Sequence, residues 1–553
     1  MVKKRKVSLG KRIGITVLAV VILAGGFAAY DTLSSKSSSS NVLNEPLATD
    51  LTTQDLSQVI DEYSSQIAGN VQEGLLSRTA SGTAKAGLAK SWSHSKDGLT
   101  WTFHLRKGLK WSNGDSLTAS DFVYAWQRTV NPKTGSQNVY LYSGIKNADA
   151  INSGKNKDLS SLGIKAPSSH TLVITLEHPM PQFENLMATP AFFAQDKKFE
   201  SKLGKKVGTS AADQVYDGPY KLVGWNGSNK SFKLIPNSNY WNKKAVKNDG
   251  VNFQVVTDPI AGLGLYNKKK LDQTTLSTNA QIKKYKNSKN LKIYNESGTS
   301  YLEYNQTGKV AGLTNQKIRE ALNLATDRST ISQEVSEGLD SPASGITPAG
   351  LSKTSSGEDF AKAASKSTGY SYNISKAKKL FAQGLREIGL KKLTLTIEAS
   401  SDSSASKPTL DTLQQTWQEL PGLTVKEKFV PFKQRMQDQE NHSFEVVLGG
   451  WSADYAEPLT FLNMFISGGG NNDGSYTNKT YDKLIASASN KNALSDKART
   501  DNEITAEKLL YKDSAIDPIY WMNAATLTNP KVKGVQYFSS GVWYYYMHAY
   551  RVK

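Results

Sequence analysis

Between residues 99 and 130 the spacing of apolar residues changes once, and that change limits the class of fold open to the chain. In "LTWTFHL", 99–105, Leu99, Trp101, Phe103 and Leu105 alternate with Thr100, Thr102 and His104. Period two is the mark of a strand buried on one face. In "TASDFVYAWQRTV", 118–130, Phe122, Trp126 and Val130 recur every fourth position behind a capping-box pattern at Thr118 and Asp121, which is the mark of a helix. The same alternation returns along the chain. "TLVITL", 171–176, and "KLTLTIEA", 392–399, read as strands. "TNQKIREALNLATD", 314–327, "NISKAKKLFAQGLREIGL", 373–390, and "NEITAEKLLY", 502–511, read as helices. No internal repeat at the spacing of a solenoid accompanies them. A mixed α/β fold follows, and 553 residues exceed what one core holds, so two or three domains are expected.

The amino terminus points outward. "KKRKVSLGKR", 3–12, carries six positive charges, and "IGITVLAVVILAGGFAAY", 13–30, carries none. A basic stretch before an apolar one directs the rest of the chain across a membrane. The apolar run has eighteen residues, so it fits both a cleaved signal and a retained membrane helix. "SSKSSSSN", 34–41, then reads as a flexible tether. The net charge is +19, from 68 Lys and Arg against 49 Asp and Glu. That excess suits an anionic neighbourhood such as lipid or cell-wall polymer. The lysines are spread along the whole length, without the local arginine–aromatic clusters of a nucleic-acid binder, so no nucleic-acid partner is expected.

Catalytic signatures fail on inspection. With no cysteine, disulfides, thiolate metal sites and cysteine nucleophiles are excluded. "GKKVGTS", 204–210, lacks the lysine and the spacing of a phosphate loop. "SHSK" at 93–96, "KTG" at 133–135 and "SYN" at 371–373 mimic the three signatures of penicillin-binding enzymes, but the second and third stand in reversed order. The six histidines, His94, His104, His170, His178, His442 and His548, form no metal-binding pair at helical spacing. Binding is therefore favoured over catalysis; no enzyme activity, cofactor or metal is expected.

Five stretches in order carry a resemblance. They are "EGLLSRTASGTAKAGLAKSWSHSKDGLTWTFHLRKGLKWSNGDSLTASDFVYAWQRTVNP", 73–132; "VYDGPYKLVGW", 215–225; "NSNYW", 237–241; "IREALNLATDR", 318–328; and "GGWSADYAEPLTFLNMF", 449–465. Together the set resembles the oligopeptide-binding proteins of ABC importers, most nearly their lactic-acid-bacterial branch, over residues 42–553. The resemblance implies an α/β, two-lobed, periplasmic-binding-protein-like fold (type II, cluster C) with an inserted subdomain and a hinge between the lobes. It places lobe I at 42–85, 215–306 and 526–553, the insert at 86–214 and lobe II at 307–525, after an anchor or signal at 1–30 and a linker at 31–41. It implies a monomeric peptide receptor that hands oligopeptides to the transmembrane subunits of an ABC permease. A peptide pheromone receptor of the same fold, and a surface adhesin or chaperone-like protein held by anionic cell-wall polymer, are the alternatives.

The resemblance also implies a site. Asp454 matches the aspartate that receives a peptide α-ammonium. Gly449, Gly450, Trp451 and Ser452 match a backbone edge beside it, with Trp451 walling a side-chain subsite. Glu73, Gly74 and Leu75 match a second edge, and Tyr140, Tyr142, Tyr301 and Tyr304 are expected to line the cleft. Glu457, locked before Pro458, is expected to be structural. Two departures stand out. Gln72 replaces the aromatic residue usual before Glu-Gly-Leu, which alters ligand reading there. Gly26, in "ILAGGFAAY", replaces the cysteine that surface lipoproteins of the family modify. Lipid attachment is chemically impossible, so 13–30 either stays as an uncleaved membrane helix on the extracytoplasmic face or is removed to release the protein.

Overall fold

Trp101, Phe103 and Leu105 are all buried in the strand Thr100–Leu105, as the period-two pattern requires. That strand belongs to the computed structural model, which describes residues 41–552 apart from 80–82, 367–370, 402 and 541. The apolar stretch 13–30 lies outside the described residues. Among those described, no helix is long and apolar enough to cross a membrane.

Three sheets organise the chain. The first is four-stranded, in the order Val42–Leu47, Gly250–Val255, Ser231–Pro236, Tyr220–Val223. Its first pair is parallel and the others antiparallel. The second, also four-stranded, is antiparallel throughout: Ala89–His94, Thr100–Leu105, Thr171–Thr175, Ile164–Ser168. The helix Ala119–Val130 buries Phe122, Trp126 and Val130 in the core that covers this sheet. Its entry is fixed by the Asp121 carboxylate, which accepts the Thr118 N–H at 2.7 Å.

The third sheet has seven strands. Along its main path they run Gln273–Leu276, Ile516–Thr528, Leu291–Tyr304, Val446–Ser452, Leu393–Ser400, Leu423–Val430. The helices Gln316–Ala325, Ile374–Glu387 and Ser406–Trp417 pack their apolar faces into the core around this sheet. Two long strands, Leu291–Tyr304 and Ile516–Thr528, run antiparallel. One end of the pair packs Ala525 and Leu527 on Leu276 and Ile282. The other packs Leu302 and Ile519 into the core of residues 302–520. Their register breaks between Asn295 and Thr299 and again after Ser300. Ser297, inside the first break, has φ +47°, a left-handed conformation that a non-glycine residue adopts rarely.

The glycines of the third sheet's central strand matter most for the site. Val446–Ser452 pairs with Leu291–Tyr304 along its full length, from Tyr304↔Val446 to Gly298↔Ser452. On its other side it pairs with Leu393–Ser400 only at Val446 and Val447. From Leu448 onward that second edge has no strand neighbour among the described residues.

Candidate ligand-binding cleft

The open edge faces a cavity. Gly449, Gly450, Trp451 and Ser452 line a space of about 420 Å³ together with Ser400 and Arg435. A Cβ on Gly450 would stand 3.0 Å from Met522 Cε and 3.5 Å from the Thr299 carbonyl, so glycine keeps this stretch of backbone free of side-chain bulk. Arg435, on the helix Phe432–Glu440, lies against the same strand: its Nη1 would be 3.5 Å from a Cβ on Gly449. Its Nε donates to Ser400 Oγ at 2.8 Å.

Two further cavities meet at the end of the strand. Trp451 and Asp454 line one of about 640 Å³ with Tyr140, His178 and Asn471. Ser452, Ala453 and Asp454 line another of about 220 Å³ with Tyr140, Glu62, Glu296 and Trp543. Thus 449–454 is a spine along which three cavities open. Its opposite walls come from the helix start at Glu62, from the 137–142 turn and from the chain near Trp543. The Trp451 indole N–H is buried without an acceptor among the described residues.

Asp454 is held by two hydrogen bonds. Its own N–H donates to Thr460 Oγ1 at 3.1 Å, and the Tyr140 hydroxyl donates to its Oδ1 at 3.3 Å. Burial raises its pKa to about 6, against the lowering effect of the bonds from Tyr140 and Thr460; no cation is among the groups that shift it. Glu296, in the same cavity, is raised to about 7, first by burial and then by Glu62 and Asp340. Among the described residues the site is an anionic recess without a built-in counter-ion. Among the described residues no cluster of acidic or histidine side chains could hold a metal.

The structure gathers some expected site residues and separates others. Gly449, Gly450, Trp451, Ser452, Asp454 and Tyr140 come together. Tyr142, Tyr301 and Tyr304 do not line the cleft. Tyr142 is fully buried, stacked on Phe192 at 4.4 Å and donating to the Ala191 carbonyl at 2.5 Å. Tyr301 packs edge-on against Phe465, and Tyr304 donates to Asn323 Oδ1 at 2.6 Å. Tyr301 and Tyr304 fill cores because both faces of their strand are covered from Ser297 on, and Tyr142 lies on the inner side of a turn whose outer side carries Tyr140.

The edge expected at 73–75 is partly paired within the protein, while Glu73 and Gly74 line a small cavity. The Gly74 carbonyl accepts from Leu88 N–H, and the Leu75 carbonyl from Gly87 and Ala89. A Cβ on Gly74 would fall 2.3 Å from the Met187 carbonyl. The Glu73 carboxylate, pushed up to about 7 by burial, accepts from Tyr240 and Trp241 at 3.0 and 2.5 Å. Gln72 lines the same cavity, donating to the Val215 carbonyl and accepting the Asp217 N–H. Glu457 faces Arg499 at 3.7 Å. Sequence reasoning missed Glu62, Glu296, Arg435 and Trp543. Glu62 opens a helix behind the N-cap Asp61 and reads as an ordinary first-turn acid; the other three carry no local signal.

Residues 83–473 match the model of the bacterial extracellular solute-binding proteins, family 5, middle region. A dipeptide-binding protein of Lactococcus lactis subsp. cremoris is 43% identical over 552 residues, covering 98% of this chain and 100% of that protein. Listeria monocytogenes OppA, solved bound to peptide, is 34% identical and superposes with a TM-score of 0.76, over 93% of this chain and 100% of that one. The pheromone receptor PrgZ is 32% identical with a TM-score of 0.76, again over 93% and 100%. The architecture is therefore mixed α/β and two-lobed, as in those peptide-binding proteins. A match running through all three sheets, with relatives aligned end to end, places the chain in family 5 of the bacterial extracellular solute-binding proteins.

Proposed function

We propose that the chain is an extracytoplasmic receptor that captures oligopeptides in this cleft and delivers them to the transmembrane subunits of an ABC permease. The observation that carries the reading is Asp454, a recessed carboxylate without a counter-cation, standing two residues beyond an open-edged strand. Every peptide offers an α-ammonium and a regular backbone. An ammonium on Asp454 makes a charge-assisted bond, and an extended backbone adds to the edge at 448–452 by strand augmentation. Both contacts ignore side chains, and the three cavities along the spine leave room for them.

Calorimetry with short peptides tests this. Asp454→Asn is expected to weaken free-amine peptides by about 2–5 kcal/mol, roughly 30-fold or more, and to leave amino-acetylated peptides unchanged. If acetylation costs the native protein nothing, Asp454 does not receive the amine.

The likeness to PrgZ favours one second reading, a receptor for a single signalling peptide. Its mark would be tight binding of one sequence with little affinity for short mixed peptides. The lobe division at 85/86, 214/215, 306/307 and 525/526 belongs to the same proposal. What supports it is that the largest cores are mostly distinct, one built from residues 43–253 with 544–549, one mainly from 75–215 and one from 302–520, although their edges cross the division at Leu75, Leu302 and Tyr304. The tether belongs to it as well: with Gly26 in place of a cysteine, residues 13–30 either stay as an uncleaved membrane anchor or are removed to release the protein. A mature amino terminus near residue 30 would decide for release.

A further inference from the structure

Among the described residues the buried arginines are matched, with one exception. Arg328 pairs with Asp517, and Arg435 donates to Ser400 Oγ and Gln439 Oε1. Arg319 donates through all three nitrogens to the carbonyls of Ser514, Leu313 and Asp513. Arg78 differs. It ends the short strand Leu76–Arg78, paired with Ala84–Ala86, and is 8% exposed. Nη1 donates to the Ser540 carbonyl at 2.6 Å and to its hydroxyl at 3.3 Å. Nε and Nη2 are buried with no acceptor among the described residues. No carboxylate compensates the charge: burial alone acts on the guanidinium, lowering its pKa to about 10. A buried cation without a counter-charge destabilises the empty protein, and nothing nearby offsets it.

Two features say what would. Nε and Nη2 are adjacent on one edge of the guanidinium, the fork that a carboxylate engages with both oxygens. Arg78 also lines a cavity of about 40 Å³ with Glu73, Gly74 and Phe538, room for about three waters or one carboxylate group. Ser540, which bonds Arg78, lines the cavity of Asp454 as well. The guanidinium therefore stands one residue behind the wall of the peptide cleft.

We propose that Arg78 is a carboxylate-reading subsite of the cleft, engaged by a carboxylate of the bound peptide, either its C-terminus or an Asp or Glu side chain. This rests on the peptide-receptor reading. It makes the protein selective for anionic groups at one position, while Asp454 anchors the amine.

The test is calorimetry on the full chain with tri-alanine, its C-terminal amide, and amidated tripeptides carrying Glu or Gln at the second or third position. The native protein is expected to favour the carboxylate-bearing member of a matched pair by roughly ten- to hundredfold. The free-acid pair reports the C-terminus, the Glu/Gln pairs a side chain. Arg78→Met should erase that preference, leave the neutral amide bound as before, and not lower the melting temperature of the empty protein. Arg78→Lys, which keeps the charge but loses the fork, should retain only part of the preference, and it decides the matter should the Met variant not fold. The assignment is overturned if the native protein shows no preference, if Arg78→Met keeps it, or if that variant weakens neutral and acidic peptides alike with a lower melting temperature. Binding of no peptide at all by the native protein would remove the receptor reading and this assignment together.

Discussion

Asp454 and Glu296 share a cavity, and burial raises both carboxylates, to about 6 and about 7. Free-amine peptides need the ionised form of Asp454. Their affinity is therefore expected to fall as pH drops from 7 to 5, while amino-acetylated peptides change little; calorimetry across that range checks it, and parallel curves would refute it. The same shifts act on stability with the opposite sign. A carboxylate whose folded pKa lies above its unfolded value of about 4 stabilises most below that value, and the contribution fades as pH rises through the folded pKa. The empty protein should thus melt at a higher temperature at pH 5 than at pH 8. Free-amine peptide should narrow the difference, because an ammonium restores the ionised form of Asp454. Little of this was readable from sequence. "GGWSADYAEP" showed an acid beside a tryptophan, but whether that acid is buried depends on Tyr140 and Thr460, which pack around it only in the folded chain.

Elements were legible where one face is wet. Thr100–Leu105 alternates because its other face meets solvent, and Gln316–Ala325 starts at Asn315, whose side chain accepts the Ile318 N–H. Leu291–Tyr304 was not legible in the same way: from Ser297 to Tyr304 every residue is buried. With both faces covered, period two does not say which way Tyr301 or Tyr304 points, and the expectation that they reach the cleft failed there. The open edge at 448–452 was also invisible, since it exists only because Leu393–Ser400 stops pairing after Val447. That edge makes a prediction of its own. Strand addition uses alternate N–H groups of the added chain. Methylating successive backbone nitrogens of a tight tetrapeptide should cost affinity at every second position and spare those between. Uniform loss, or none, would mean that the backbone is not read by this strand.

The two-lobed whole turns on few covalent paths. Leu291–Tyr304 and Ile516–Thr528 join the core near Leu276 to the core of residues 302–520, and their ladder is already interrupted at 295–299 and after Ser300. Bending there breaks few further hydrogen bonds, and Ser297 already holds the left-handed backbone that such a kink uses. Hinge closure around ligand follows as the expected motion. The cavity of about 640 Å³ offers a gauge, because Ser143 lines it from one side and Ser489 from the other. The chain contains no cysteine, so Ser143→Cys with Ser489→Cys gives two unique labelling sites. Energy transfer between dyes at these positions should rise when a free-amine peptide is added and stay flat when Asp454→Asn is combined with them at the same peptide concentration. Calorimetry on the labelled protein establishes that peptide is bound. Unchanged transfer in a protein so occupied would show that capture needs no closure, and that the broken ladder at Ser297 is a fixed bend and not a hinge.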